Sequence, residues 1–158
     1  MKRRPKRRRR PVKVIHLWNF PQAQKALPYL RSVVGSLRDH WLHVQGVTAD
    51  MSRQAKAPGR PDRHTLIVQE STREEKEEAE TQFTDALQEL MKLDVYLLDP
   101  VRGLALIPFA QNEQLAWFVF DQFDPQGVSS WRFHEDALDI RRPLGEAQLE
   151  VPPSPTAA

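Results

Sequence analysis

Apolar side chains recur at Ala23, Leu27, Leu30, Val34, Leu37, Trp41 and Val44. Steps of four and three hold side chains on one stripe of an α-helix, as in a coiled-coil seam, so the spacing predicts a long helix over 20–46. Asn19 stands where a side-chain oxygen can accept a free N–H of the first turn, and Pro21 sits where a missing N–H costs nothing. Pro28 lies inside the stripe and is expected to remove one hydrogen bond and bend the helix. Ala79, Phe83, Ala86, Leu87, Leu90 and Met91 form a second stripe. It predicts a helix over 72–93, opened by a capping box of Ser71 and Glu74, whose early glutamates suit the positive end of the helix dipole. The polar, proline-containing stretch between them reads as a loop or insertion over 52–69, with Leu66–Val68 as a brief ordered contact.

Elsewhere the period falls to two, the signature of strands. Val12, Val14, His16 and Trp18 alternate with Lys13, Ile15 and Leu17, predicting a strand over 12–18. After the second helix come Val95–Leu98, Leu104–Phe109, Leu115–Phe123 and Ser129–His134, separated by turns, which together read as a β-meander over 95–134. The apolar run at 115–123 marks its central strand. Two helices with one apolar stripe each must bury those stripes on each other or on a sheet. The expected fold class is therefore α+β: a long antiparallel two-helix hairpin packed with a three- to four-stranded antiparallel β-meander. It forms a single domain over 12–144, flanked by a basic tail at 1–11 and a flexible tail at 145–158.

Composition narrows the chemistry. The chain has 158 residues and no cysteine, which excludes disulfides, cysteine-based metal centres and a thiol nucleophile. No apolar run approaches the ~20 residues that span a bilayer. The first residues carry the charge of a signal peptide without its apolar stretch. A cytoplasmic protein without stable membrane insertion is expected.

Charge is divided sharply. Of the 23 Lys and Arg, nine lie within residues 1–13, so the rest of the chain carries 14 against 21 Asp and Glu. Lys2, Arg3, Arg4, Lys6, Arg7, Arg8, Arg9 and Arg10 form a run that cannot fold alone, because like charges repel and nothing apolar is buried. Such a run attracts phosphate backbones and gains affinity by releasing condensed counterions. RNA, DNA or the ribosome is the expected partner, bound without base readout, since no base-reading element is visible. The alternative is a solubilising extension, or one that folds back over Glu70, Glu74, Glu75, Glu77, Glu78 and Glu80.

Several short segments resemble a family. Trp18-Asn19-Phe20, Ala23, Leu27-Pro28 and Leu30 are similar to the helix opening of bacterial proteins grouped as domain of unknown function 2203. Asp94-Val95, Leu98-Asp99-Pro100, Arg102-Gly103-Leu104 and Ile107-Pro108 resemble that family's central run. Asp124-Pro125, Trp131, His134-Glu135 and Arg142-Pro143-Leu144 resemble its ending. The resemblance spans 14–144. Val119-Phe120-Asp121 departs from the Cys-Trp-Arg that the family often carries there. It implies a fold and no activity.

Two clusters are candidates for chemistry. His134 and Glu135 end the last strand with Asp136 beside them, and Arg141 or Arg142 follows to hold an anion. A strand-end histidine beside carboxylates can act as a general base. The alternative is a structural hydrogen bond from the sheet edge to the following loop. Asp39, His40 and His43 lie within two turns of the first helix, and His40 and His43 at i, i+3 could share a metal. The four-residue His repeat of metalloproteases is absent, and ordinary packing beside Trp41 and Val44 explains them. The turn at Asp99–Gly103 lacks the glycines and the Lys-Ser/Thr pair of a phosphate loop. Trp18, Trp41, Trp117 and Trp131 read as core. No cofactor is implied. The pattern favours a non-enzymatic interaction module that tethers to a polyanion through 2–10 and docks a protein partner or a second copy through the hairpin. Its rival is a small hydrolase or metal-dependent enzyme centred on His134, Glu135 and Arg142.

Overall fold

A computed structural model describes residues 14–146. Helix α1 (Phe20–Ala55) and helix α2 (Arg63–Lys92) pack antiparallel. They precede the strands β1 (Tyr96–Asp99), β2 (Leu104–Gln111), β3 (Gln114–Asp121), β4 (Val128–Phe133) and β5 (Arg142–Pro143), with a 3-10 turn at Leu144–Glu146. The strands lie side by side in chain order, each antiparallel to the next. The molecule is α+β, with the expected hairpin and meander.

Asn19 caps α1 as its sequence position predicts. Its Oδ1 accepts the Gln22 N–H at 2.8 Å, and Gln22 Oε1 accepts the Asn19 N–H at 3.0 Å, which completes a capping box. Pro28 lies within α1, which continues past it. The helix also passes Gly46 and ends at Ala55, because Val47 and Met51 carry the buried stripe onward against α2. Most of the segment expected as a loop over 52–69 is therefore helical. The true connection is residues 56–62, with Pro58, Gly59 at φ +94° and Pro61. Asp62, whose Oδ1 accepts the Thr65 N–H at 2.7 Å, caps α2. Ser71 and Glu74 lie inside α2, so the glutamates sit along its middle and its first turn holds no acid. The expected start at 72 fails because the inward positions of the early turns are Thr65, Gln69, Thr72 and Lys76, which make no apolar stripe.

The strand expected over 12–18 is absent among the described residues. Residues 14–19 form no ladder, and Val14 is 85% exposed. The chain is held instead by single bonds: Trp18 N–H to the Pro108 carbonyl at 2.8 Å, Trp18 Nε1–H to the Leu93 carbonyl at 3.0 Å, and His16 N–H to Asp94 Oδ2 at 2.9 Å. Trp18 takes up the β2 edge where β1 has stopped pairing. Proline is tolerated at 108 because its missing N–H faces that thinly paired edge.

The β2–β3 hairpin turns at Asn112 and Glu113, both at positive φ (50° and 62°) as a primed turn requires. A fifth strand extends the expected three or four. Its two residues pair with Ser130 and Trp131, too briefly to leave a periodic signal.

The core lies between the helices and one face of the sheet. Ala105, Ile107 and Phe109 of β2, Ala116, Phe118 and Phe120 of β3, and Trp131 of β4 meet Ala23, Leu30, Val33, Val34 and Leu37 of α1 and Leu90 of α2. Phe109 stacks on Phe118 with ring centres 3.9 Å apart, and Phe20 meets Phe118 edge-on. The opposite face carries a smaller apolar group of Leu106, Trp117 and Val119, flanked by Tyr96, Leu98, Leu104 and Leu115. Burial on both faces explains why β3 reads as one apolar run. No helix among the described residues is long and apolar enough to cross a membrane.

Candidate functional site

The β4–β5 connection gathers most of the residues singled out near the end of the sheet. His134 follows β4 on the face of Trp117, whose indole Nε1–H donates to His134 Nδ1 at 3.1 Å. In this arrangement Nδ1 is an acceptor, so a neutral His134 carries its proton on Nε2. Gln114, Leu115, Phe133, His134, Glu135 and Asp136 border a shallow cleft of about 400 Å³ beside the imidazole.

Arg142 belongs to the other face. β5 sets it opposite Trp131, and its guanidinium lies over the rings of Trp131 and Phe133 at 5.5 and 4.9 Å. Its Nε and one terminal nitrogen grip the Asp136 carboxylate at 2.8 and 2.9 Å. Asp136 also accepts the Phe133 N–H at 2.9 Å. The Arg142 hydrogen bonds hold the Asp136 carboxyl down to about 2 against burial, which pushes it up. Arg132, buried opposite Trp117, donates to the Asp136 carbonyl. The structure thus brings His134 to Trp117 and Arg142 to Asp136. His134 and Arg142 face opposite sides of the sheet, and Glu135 is exposed between them.

Asp39, His40 and His43 lie along α1. A ring nitrogen of His43 meets Glu75 Oε1 of α2 at 2.8 Å, a bridge across the hairpin. Among the described residues no three His, Asp or Glu side chains come together as metal ligands. Lys2, Arg3, Arg4, Lys6, Arg7, Arg8, Arg9 and Arg10 lie outside the described residues.

Sequence reasoning missed a stripe on α1. Arg31, Gly35 and Arg38, at i, i+4 and i+7, face the two turns at one end of the sheet. Arg31 donates to the carbonyls of Asp124 and Pro125 at 3.2 and 2.8 Å, with a longer contact to Gln122. Arg38 Nε donates to the Val101 carbonyl at 2.9 Å, and its guanidinium lies 5.2 Å from the Phe123 ring centre. Between them, a Cβ on Gly35 would fall 2.8 Å from Gln122 Nε2. The turns are locked internally as well. Asp99 Oδ1 accepts the N–H groups of Val101 and Arg102, and Asp124 accepts the Gln126 N–H and the Ser129 hydroxyl. The hydroxyl, then the N–H, holds the Asp124 carboxyl below its usual range. Gly103 (φ +67°) and Gly127 (φ +74°) complete the turns, and a Cβ at either would collide with Gln122 or Leu27. The seven-residue spacing of Arg31 and Arg38 was the only signal available, and it reads equally as a solvated helix face.

Beside this joint, Arg102, Leu104, Asp121, Phe123, Asp139 and Arg141 line an open cleft of about 600 Å³. Two cations and two carboxylates balance there, so it offers no net attraction to a polyanion.

Fold and geometry define an α+β protein in which a helical hairpin is clamped by arginines to the turns of an antiparallel meander. Of the quoted motif residues, Asp99, Gly103 and Asp124 close turns, Ala23, Leu30, Val95 and Ile107 lie in the core, and the Trp131 indole N–H donates to the Pro143 carbonyl at 3.1 Å. The chain matches the family model described as Uncharacterized conserved protein (DUF2203) over residues 16–144 and belongs to that family. No curated protein matches the chain. No solved structure matches it.

Proposed function

We propose that the protein is a non-enzymatic interaction module whose helical hairpin docks a protein partner or a second copy while Lys2–Arg10 tethers RNA, DNA or another polyanion. The observation that carries this reading is how far the hairpin extends beyond the sheet. In the core shared with the sheet, α1 contributes nothing after Leu37 and α2 nothing before Phe83. Residues 39–82, past the Arg38 contact with the Val101 turn, therefore form an arm, about 26 Å long along α1 at the helical rise of ~1.5 Å per residue. Its buried interior is thin, limited to Val47 and Ala79, with Trp41 against Phe83 at its base. Leu66, Ile67 and Val68 stand 52%, 59% and 40% exposed in succession near its tip. A run of exposed apolar residues on a helix serves association better than it serves the monomer.

Two measurements test the reading. The full chain is expected to bind single-stranded RNA and duplex DNA with little sequence preference and with affinity falling steeply with salt. Replacing the eight basic residues with Gln should abolish that binding, and equal binding by both proteins would remove the tether. Light scattering at tens of micromolar reports on self-association through the arm. A monomeric mass leaves a different protein as the arm's partner.

A further inference from the structure

We propose that the outer face of α2 is the intramolecular dock of the chain's own basic segment, Lys2–Arg10, so that a polyanion must displace this contact to bind. The docking itself rests on charge and reach; only its regulatory consequence rests on the polyanion-tether reading.

Charge comes first. The inward side of α2 is set by Lys76, Ala79, Phe83, Ala86 and Leu90. At 100° per residue, Glu70, Glu74, Glu77, Glu78 and Asp85 fall on the opposite half. All five are exposed. Glu70 pairs with Arg73, whereas Glu74, Glu77, Glu78 and Asp85 make no ion pair within the described residues. Arg63, Arg73 and Lys92 share that half, Arg73 attracting Glu74 and Glu77 as well as pairing with Glu70. Over residues 65–81 the face still carries four glutamates against one arginine, and eight of residues 2–10 are Lys or Arg.

Reach comes second. The described chain begins beside the C-terminal end of this same helix, where His16 N–H donates to Asp94 and Trp18 Nε1–H to the Leu93 carbonyl. Arg10 lies six residues before His16 and Lys2 fourteen before it. At ~3.1 Å per residue of extended chain these reach about 19 and 43 Å from the anchor. Laid back along α2 at ~1.5 Å per residue, those distances place Arg10 level with about residue 81 and Lys2 with about residue 65. That window contains Glu70, Glu74, Glu77 and Glu78. Anchor and length therefore put the acidic stripe within reach of the basic run. The short tether also gives the contact a high effective concentration.

The test uses the full chain with a spin label on a cysteine placed by Pro5→Cys, the sole thiol because the chain has none. At low salt the label is expected to broaden amide resonances of α2 over about residues 65–81, and salt of about 0.5 M should restore them by screening. Glu70→Gln, Glu74→Gln, Glu77→Gln and Glu78→Gln together preserve helix propensity and should abolish the broadening. If the docked form is ~90% populated, the same variant should bind poly(U) RNA about tenfold more tightly at low salt. Absence of broadening in the parent chain at low salt would overturn the dock, whether or not RNA binds. Broadening seen only in mixtures of labelled and unlabelled copies would overturn its intramolecular form. Broadening without RNA binding by either protein would support the dock and remove the polyanion-tether reading.

Discussion

The two ends of the helical hairpin share one spacing and differ in what occupies it. Near the sheet, Leu30, Val34 and Leu37 of α1 and Phe83, Ala86 and Leu90 of α2 fill the interior, and Phe118, Phe109 and Ile107 close it from the sheet. Toward the tip, α1 still offers Trp41, Val44, Val47 and Met51. The facing positions of α2 are instead Lys76, Thr72, Gln69 and Thr65, and Gln54 Nε2 donates to Thr72 Oγ1 at 3.2 Å. Burial of apolar area is the main favourable term in folding, so the arm holds its two helices with little of it. Stability is concentrated in the body, while the arm is left adaptable and ready to gain from a partner.

The largest test of this contrast is Phe118→Ala. Phe118 is 1% exposed and sits between Phe20 and Phe109, so the cavity should cost about 3–5 kcal/mol and lower the melting temperature of the whole molecule. Gly103→Ala comes next: at φ +67°, with Gln122 in the way of a Cβ, it should cost about 1–3 kcal/mol by denaturant unfolding. Val47→Ala, in the arm, removes two methyl groups from a residue 4% exposed and should cost about 1–2 kcal/mol. Its signature is local: amide exchange should accelerate in residues 41–82 while β2 and β3 stay protected. Exchange rising equally in the sheet would show that body and arm unfold as one unit. Replacing Leu66, Ile67 and Val68 together with Ser should change monomer stability least, by less than about 1 kcal/mol, while weakening any association through the arm.

Acid separates the regions differently. The Asp136 carboxyl, held down to about 2 by Arg142, lies below its unfolded value of about 4. A depressed carboxyl stabilises the fold above its unfolded value and loses that contribution as pH falls through the folded one. The β4–β5 connection should therefore loosen progressively from about pH 4 toward 2, read as an upfield shift of the Asp136 carboxyl carbon whose midpoint moves up toward the ordinary carboxylate value in Arg142→Ala. An unchanged titration in that variant would show that Arg142 is not the cause.

How much was legible follows the range of the interactions. The Asn19 cap, the turn between Phe109 and Leu115 and the strands of the meander depend on neighbours a few residues away, and local pattern exposes them. The start of α2 did not show, because Thr65, Gln69, Thr72 and Lys76 face the partner helix without being apolar. The strand expected at 12–18 alternated as a strand does, but β2 offers its edge there for one bond at Trp18. His134, Glu135 and Arg142 were legible as a chemical set, and strand register divided them between two faces of the sheet. Nothing near Arg31 and Arg38 along the chain marks their role, because their partners are carbonyls some 60 to 95 residues away.

By itself, the sequence determined the α+β class, both helical stripes, the antiparallel meander and the opposed charges of the first residues and the acidic body. Each follows from periodicity or composition, which local steric and solvation preferences write directly into the chain. Tertiary structure decided where the helices end, which face each polar residue joins, the two-residue fifth strand and the arginine clamp on the turns. Those features depend on backbone carbonyls and edge positions that exist only once distant segments meet, so no pattern along the chain encodes them.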